Sequence, residues 1–99
     1  MFEMTYDDGK KLTTVRITGD VDMYNVGALK EKLSEVKEGD VRLECGGMTY
    51  IDSTGIGVIA SELSGAAKAG SSVTIAGLKP HIRKIFVLTS LDTIFDLEA

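Results

Sequence analysis

The sequence feature that most constrains the fold is a change of hydrophobic period near the middle of the chain. Val41, Leu43 and Cys45 alternate with Arg42 and Glu44, the two-residue repeat of a strand. Ile56, Ile59, Ala60, Leu63 and Ala67 instead recur at the spacing of one helical face. The stretch between, Met48 to Gly57 (Met-Thr-Tyr-Ile-Asp-Ser-Thr-Gly-Ile-Gly), is therefore a strand-to-helix crossing. Two adjacent hydroxyls, Ser53 and Thr54, sit at its centre behind an acid, Asp52. Gly55 and Gly57 leave the first helical turn without bulk, so that another molecule can approach the backbone.

The remaining periodicity supplies the rest of a sheet. Phe2, Met4 and Tyr6 alternate with polar residues, Asp8-Gly9 offers a turn, and Val15 and Ile17 alternate again, which reads as an opening hairpin. Gly19-Asp20-Val21-Asp22 is expected to break the second strand. From Met23, apolar residues at Val26, Leu29, Leu33 and Val36 mark a first helix, with Asp22 placed to cap it and to suit the positive end of its dipole. After the central crossing, a helix ending near Gly70 leads to a strand at Val73 and Ile75. Pro80 then opens a third helix with Ile82, Ile85, Phe86 and Leu88 as its buried side, because proline in the first turn lacks only an amide that has no partner there. Ile94, Phe95 and Leu97 close the chain as a short edge strand.

The predicted order is ββαβαβαβ, an α/β class with a mixed β-sheet, and 99 residues suit one domain spanning 1–99. Arg42 and Glu44 would not lie in a strand buried on both faces, so the helices are expected mainly on one face of the sheet, with water or a partner on the other.

Charge and cysteine usage narrow the function. A net charge of −4 without a dense basic run argues against nucleic acid. No apolar run approaches the ~20 residues of a membrane span, and Glu3, Asp7 and Asp8 spoil a signal-peptide profile, so a cytoplasmic protein is expected, with no membrane partner. The single cysteine, Cys45, reads as a reduced core thiol, and with one histidine no metal site is expected.

The central hydroxyls are poorly placed for catalysis. A nucleophile elbow needs glycine two residues before its serine, where Ile51 stands, and no spacing links the only histidine, His81, to Ser53. Gly65 to Gly70 has the span of a phosphate loop but lacks its lysine and falls at a helix end, and Gly55-Ile56-Gly57 lacks the third glycine of a dinucleotide motif. Asp20, Asp22 and Asp52 remain open as paired carboxylates along one edge, although turn and cap roles account for Asp20 and Asp22.

Ser53 and Thr54 have two accounts. Structurally, a serine or threonine at a helix start accepts from the first-turn amides and is worth ~1 kcal/mol. Functionally, the same helix end can hold a phosphorylated Ser53 without unfolding the domain. A phosphate adds a charge of about −1.5 to −2 beside Asp52. Where a partner also presents an acid or apolar surface ~6 Å away, each unit-charge pair then costs on the order of 3 kcal/mol at an effective dielectric of ~20, about a hundredfold in affinity.

Gly19-Asp20-Val21-Asp22, the strand Val41 to Cys45 and above all Tyr50-Ile51-Asp52-Ser53-Thr54-Gly55-Ile56-Gly57 resemble the STAS domain of bacterial anti-sigma factor antagonists, over nearly the whole chain. The resemblance implies a STAS-like fold and no enzymatic activity or cofactor of its own. It implies that Ser53 is phosphorylated by an anti-sigma factor, a GHKL-type serine kinase using ATP and magnesium. The unphosphorylated form then binds that kinase and frees the sigma factor, and a PP2C-type phosphatase resets the serine. Asp22 and Asp52 match the family's acids, and Asp20, Thr54, Gly55 and Gly57 complete the expected docking surface. Thr54 is a second potential acceptor. Family members often continue into a helix past the last strand, so a barer far edge of the sheet is expected after Ala99. The alternative is a non-switching STAS scaffold or a module that binds a nucleotide or lipid; a small hydrolase using Ser53 ranks last.

Overall fold

A computed structural model describes every residue from Met1 to Ala99. The chain forms β1 (Phe2–Asp7), β2 (Leu12–Val21), α1 (Val26–Ser34), β3 (Asp40–Ile51), α2 (Ser53–Lys68), β4 (Val73–Ala76), α3 (Pro80–Leu88), a single 3-10 turn (Leu91–Thr93) and β5 (Asp96–Glu98). The strands lie side by side in chain order. β1 pairs antiparallel with β2, and every later pair is parallel, so the sheet is mixed, as the sequence order implied.

Alternation decides which side of the sheet is dry. Val15, Ile17, Val41, Leu43, Cys45, Val73 and Ile75 join Leu29 and Leu33 of α1, Ile59 and Leu63 of α2, and Ile82 and Phe86 of α3 in one apolar cluster. On the opposite face Arg42 donates from Nε to Glu44 and from both terminal nitrogens to Glu98, across β3, β4 and β5. The hydrogen bond from Arg42 holds the Glu98 carboxyl below its usual range, and those to Glu98 and then Glu44 hold the Arg42 guanidinium above its own. The second face is therefore polar, and its central cation is already neutralised.

Four local expectations need correction. Gly19-Asp20-Val21 does not break β2, because pairing with β3 continues as far as Val21 and Ile51. The register instead shifts between Arg16 and Thr18 and again between Gly19 and Asp20, and Gly19 absorbs the irregularity at φ +80°. Met23 is not helical. Helix α1 begins at Val26 with Asn25 at its N-cap, and the Asp22 carboxylate instead accepts from the Tyr24 and Asn25 amides of the preceding turn. Ile85 and Leu88 are not buried, because Ile82 and Phe86 alone turn α3 inward. Between α3 and β5, the 3-10 turn buries Leu91, which the sequence pattern did not single out.

Unequal strand lengths position the site. The last β3–β4 pair is Glu44 with Ala76, yet β3 continues to Ile51 beside β2, so these two strands project about 20 Å beyond β4. Where β4 stops, Gly77 packs against the Gly46 backbone and the Lys79 ammonium donates to the Gly46 carbonyl at 2.7 Å.

Candidate functional site

The tip of the β2–β3 projection brings Asp20, Asp22, Asp52, Ser53 and Thr54 together, joining segments about thirty residues apart in sequence through the Val21–Ile51 pairing. Across the two strands, the Thr49 hydroxyl donates to Asp20 Oδ1 at 2.7 Å. Asn25 clasps the β2–α1 turn from inside, accepting from the Asp22 amide at 3.0 Å and donating from its side chain to the Asp20 carbonyl at 2.8 Å.

Asp52, not Ser53 or Thr54, caps α2. Its backbone is extended, and Oδ1 accepts from the Thr54 amide at 3.0 Å, the Gly55 amide at 3.2 Å and the Thr54 hydroxyl. Its Oδ2 accepts from the Met23 amide at 3.1 Å, which ties the β2–α1 turn to the start of α2. The Thr54 hydroxyl bond, then the Gly55, Thr54 and Met23 amides, hold the Asp52 carboxyl below its usual value against a partial desolvation. A carboxylate fixed in its ionised form by four donors is unsuited to act as a general acid. That weakens the paired-carboxylate reading, since Asp20 and Asp22 also accept from neutral turn and strand donors.

The two neighbouring hydroxyls are consequently unequal. Thr54 is engaged by Asp52, whereas Ser53, the first residue of the helix, is exposed and its hydroxyl makes no hydrogen bond within the chain. No hydrogen bond joins Ser53 to His81, which is exposed on α3. No group of three or more His, Cys, Asp or Glu side chains is arranged to hold a metal ion.

The glycines also divide. A Cβ on Gly55 would lie 2.7 Å from Ile51 Cγ1 and 2.7 Å from Val21 Cγ1, so the close approach this glycine permits is that of α2 to its own strands. Gly55 is buried and offers no surface to a partner, which corrects its expected docking role. Gly57 is exposed, and a Cβ there would meet nothing within 4 Å.

Exposed apolar side chains at the same tip went unrecognised in the sequence. Tyr24 is 90% exposed, Met23 65% and Tyr50 51%. Met23 looked like the first residue of a buried helical face. Tyr50 lies on the opposite side of β3 from the buried Ile51, a placement that strand alternation could have revealed. Large apolar groups thus lie exposed beside acids and a free hydroxyl, and none of the surface depressions includes Ser53.

Comparison with known proteins places the fold. A family model described as "Mlab, STAS domain" matches residues 4–97. An anti-sigma-B factor antagonist of Bacillus subtilis is 33% identical over 87 residues, covering 86% of this chain and 80% of the relative. Its namesake in Listeria monocytogenes is 31% identical over 85 residues, covering 83% and 75%. Among solved structures, an anti-sigma factor antagonist from Mycobacterium paratuberculosis superposes with TM-score 0.84 at 20% identity, covering 99% of this chain and 84% of that one. The anti-sigma factor antagonist SpoIIAA in its unphosphorylated form superposes with TM-score 0.81 at 16% identity, covering 100% and 88%. The Bacillus SpoIIAA in its phosphorylated form gives 0.76 at 16% identity, covering 100% and 91%. At these identities the solved structures speak to the fold.

Proposed function

The chain belongs to the STAS-domain family, and on that footing we propose that it is an anti-sigma factor antagonist switched by phosphorylation of Ser53. The observation that carries the reading is the inequality of the two hydroxyls: Ser53 is exposed and unbonded at the start of a 16-residue helix, while Thr54 is held by the capping acid. In the unphosphorylated state the tip presents Met23, Tyr24 and Tyr50 with Asp20, Asp22 and the open Gly57 to an anti-sigma factor serine kinase of the GHKL type. Docking there occupies the kinase and leaves the sigma factor free.

In the proposed transfer the Ser53 hydroxyl oxygen attacks the γ-phosphorus of ATP bound to the kinase, ADP departs, and the serine proton passes to a base on the kinase. The chain contributes the acceptor and its position, and it is a substrate rather than an enzyme. The helix start tolerates the product because its amides and dipole favour anionic oxygen. The added charge falls beside Asp52 and near Asp22, at a surface that must lie flush against the partner, and dissociation follows without any need for the backbone to move. A PP2C-type phosphatase would remove the phosphate and restore docking. That SpoIIAA, a protein of the same fold, has been solved in a phosphorylated form supports the reading.

The test is incubation with the anti-sigma kinase of the same organism, ATP and magnesium, followed by mass spectrometry of the intact chain and its peptides. One phosphate on Ser53, with loss of the complex, is the expected result. Phosphate on Thr54 or elsewhere, or none under conditions where the kinase binds, would overturn it.

A further inference from the structure

A second exposed apolar surface lies away from the tip, on α3. Ile82 and Phe86 are buried and fix the rotation of this helix, so Lys84, Val87 and Leu88 necessarily point away from the core. Leu88 is 73% exposed, Val87 40% and Ile94, just past the 3-10 turn, 39%. Pro80, Arg83, Lys84 and Val87 line a shallow depression along the helix. Lys68, at the end of α2, lines another with Ile94.

The charges of this surface have one dominant sign. Helix α3 contains no acid, and Arg83 and Lys84 make no ion pair, although the chain as a whole carries a net charge of −4. Asp92 in the 3-10 turn is the exposed acid nearest in sequence. Its position within the fold separates this surface from Ser53. Because β4 and β5 are parallel, α3 starts beside Gly46, well short of the tip, and must run back toward the N-terminal ends of the strands.

We propose that the outward face of α3 docks an acidic amphipathic helix of a partner protein. Apolar side chains between unpaired cations match a helix with leucine-like anchors flanked by glutamate or aspartate. Three cations and a nearby acid fall short of the four to eight basic residues that bring a segment to an anionic lipid surface. A second copy of the chain is a poorer match, because the leucines of its acid-bearing helix α1, Leu29 and Leu33, are buried in its own core and cannot serve as anchors beside the exposed Glu31 and Glu35. Docking on α3 leaves Ser53 accessible, so one chain can hold a partner there while its tip engages another.

The proposal is tested by titrating the isotope-labelled chain with a synthetic Glu/Leu helix peptide, following backbone amide shifts. A Lys/Leu peptide of the same apolar pattern and anionic phosphatidylglycerol vesicles serve as comparators. Saturable shifts centred on residues 83–94 with the Glu/Leu peptide alone, and unmoved signals at Ser53 and Tyr24, are expected. Arg83→Glu combined with Lys84→Glu should weaken binding at least about tenfold while leaving the remaining spectrum, and hence the fold, intact. Equal shifts with the Lys/Leu peptide, no saturable binding, or shifts centred on the tip would overturn the proposal. So would vesicle binding without peptide binding, or concentration-dependent shifts at α3 in the chain alone. The readout does not involve phosphorylation, so its outcome is separate from that of the Ser53 switch.

Discussion

Replacing Gly55 by alanine probes how α2 is seated on the sheet. The new Cβ would stand 2.7 Å from the γ-carbons of both Ile51 and Val21, about 1 Å inside the usual 3.5–4.0 Å carbon contact. Both neighbours are β-branched, stiff at χ1 and buried in the core, so neither can swing aside cheaply. The start of α2 must lift from the β2–β3 projection, and overpacking of this kind costs about 1–3 kcal/mol. Alanine returns about 1 kcal/mol through helix propensity, leaving a net loss of up to about 2 kcal/mol. For a domain of this size that lowers Tm by up to roughly 10 °C. Gly57→Ala is the matched control. Its Cβ meets nothing, so the same propensity term should make the variant as stable as the parent or up to about 1 kcal/mol more stable. Thermal and urea unfolding followed by circular dichroism measure both. A Gly55→Ala protein as stable as Gly57→Ala would refute the account of Gly55 as a packing glycine. If Gly57 faces the partner as proposed, Gly57→Ala should nonetheless weaken the kinase complex, which separates surface from core within one helical turn.

Further predictions concern charge and reactivity. The Asp52 carboxyl has a lowered folded-state pKa, so its stabilisation is fully present above the unfolded carboxylate value and is lost as pH falls through the folded value. Asp52→Asn should therefore be less stable than the parent near neutral pH and converge with it in acid; a difference independent of pH would contradict this role. Ser53→Ala should retain the anti-sigma partner and resist phosphorylation, whereas Ser53→Asp should bind it more weakly by calorimetry. Equal affinity of the two variants would count against a charge-based switch. Burial, with a smaller contribution from Glu44, pushes the Cys45 thiol up to about 12, so alkylation at pH 8 should track global unfolding in urea. Rapid labelling of the folded chain would show that β3 opens locally.

The β2–β3 pairing shows where reading the sequence stops. Local pattern made the alternating strands, the Ile59–Leu63 helical face and the proline start of α3 legible, because each rests on contacts between residues a few positions apart or on one backbone dihedral. The same logic misread Gly19 as a stop, since a glycine that ends a strand and one that carries a bulge look alike until the partner strand is present. Asp22 was misassigned for a related reason: an acid at a helix N-cap and one opening a turn accept from the same amides two and three residues on, here those of Tyr24 and Asn25, and differ only in the backbone that follows.

From its residues alone, the sequence determined the order of elements, the wet and dry faces of the sheet and the placing of Ser53 beside an acid at a helix start. Short-range periodicity and turn chemistry suffice for all three. Tertiary structure decided the inequality of Ser53 and Thr54, the inward use of Gly55 and the grouping of Met23, Tyr24 and Tyr50 around the acceptor. Each depends on the register that sets Val21 against Ile51, a pairing across about thirty residues that brings the Met23 amide to the Asp52 carboxylate. Such a register is fixed by the burial of whole strand faces together, and no local window contains it.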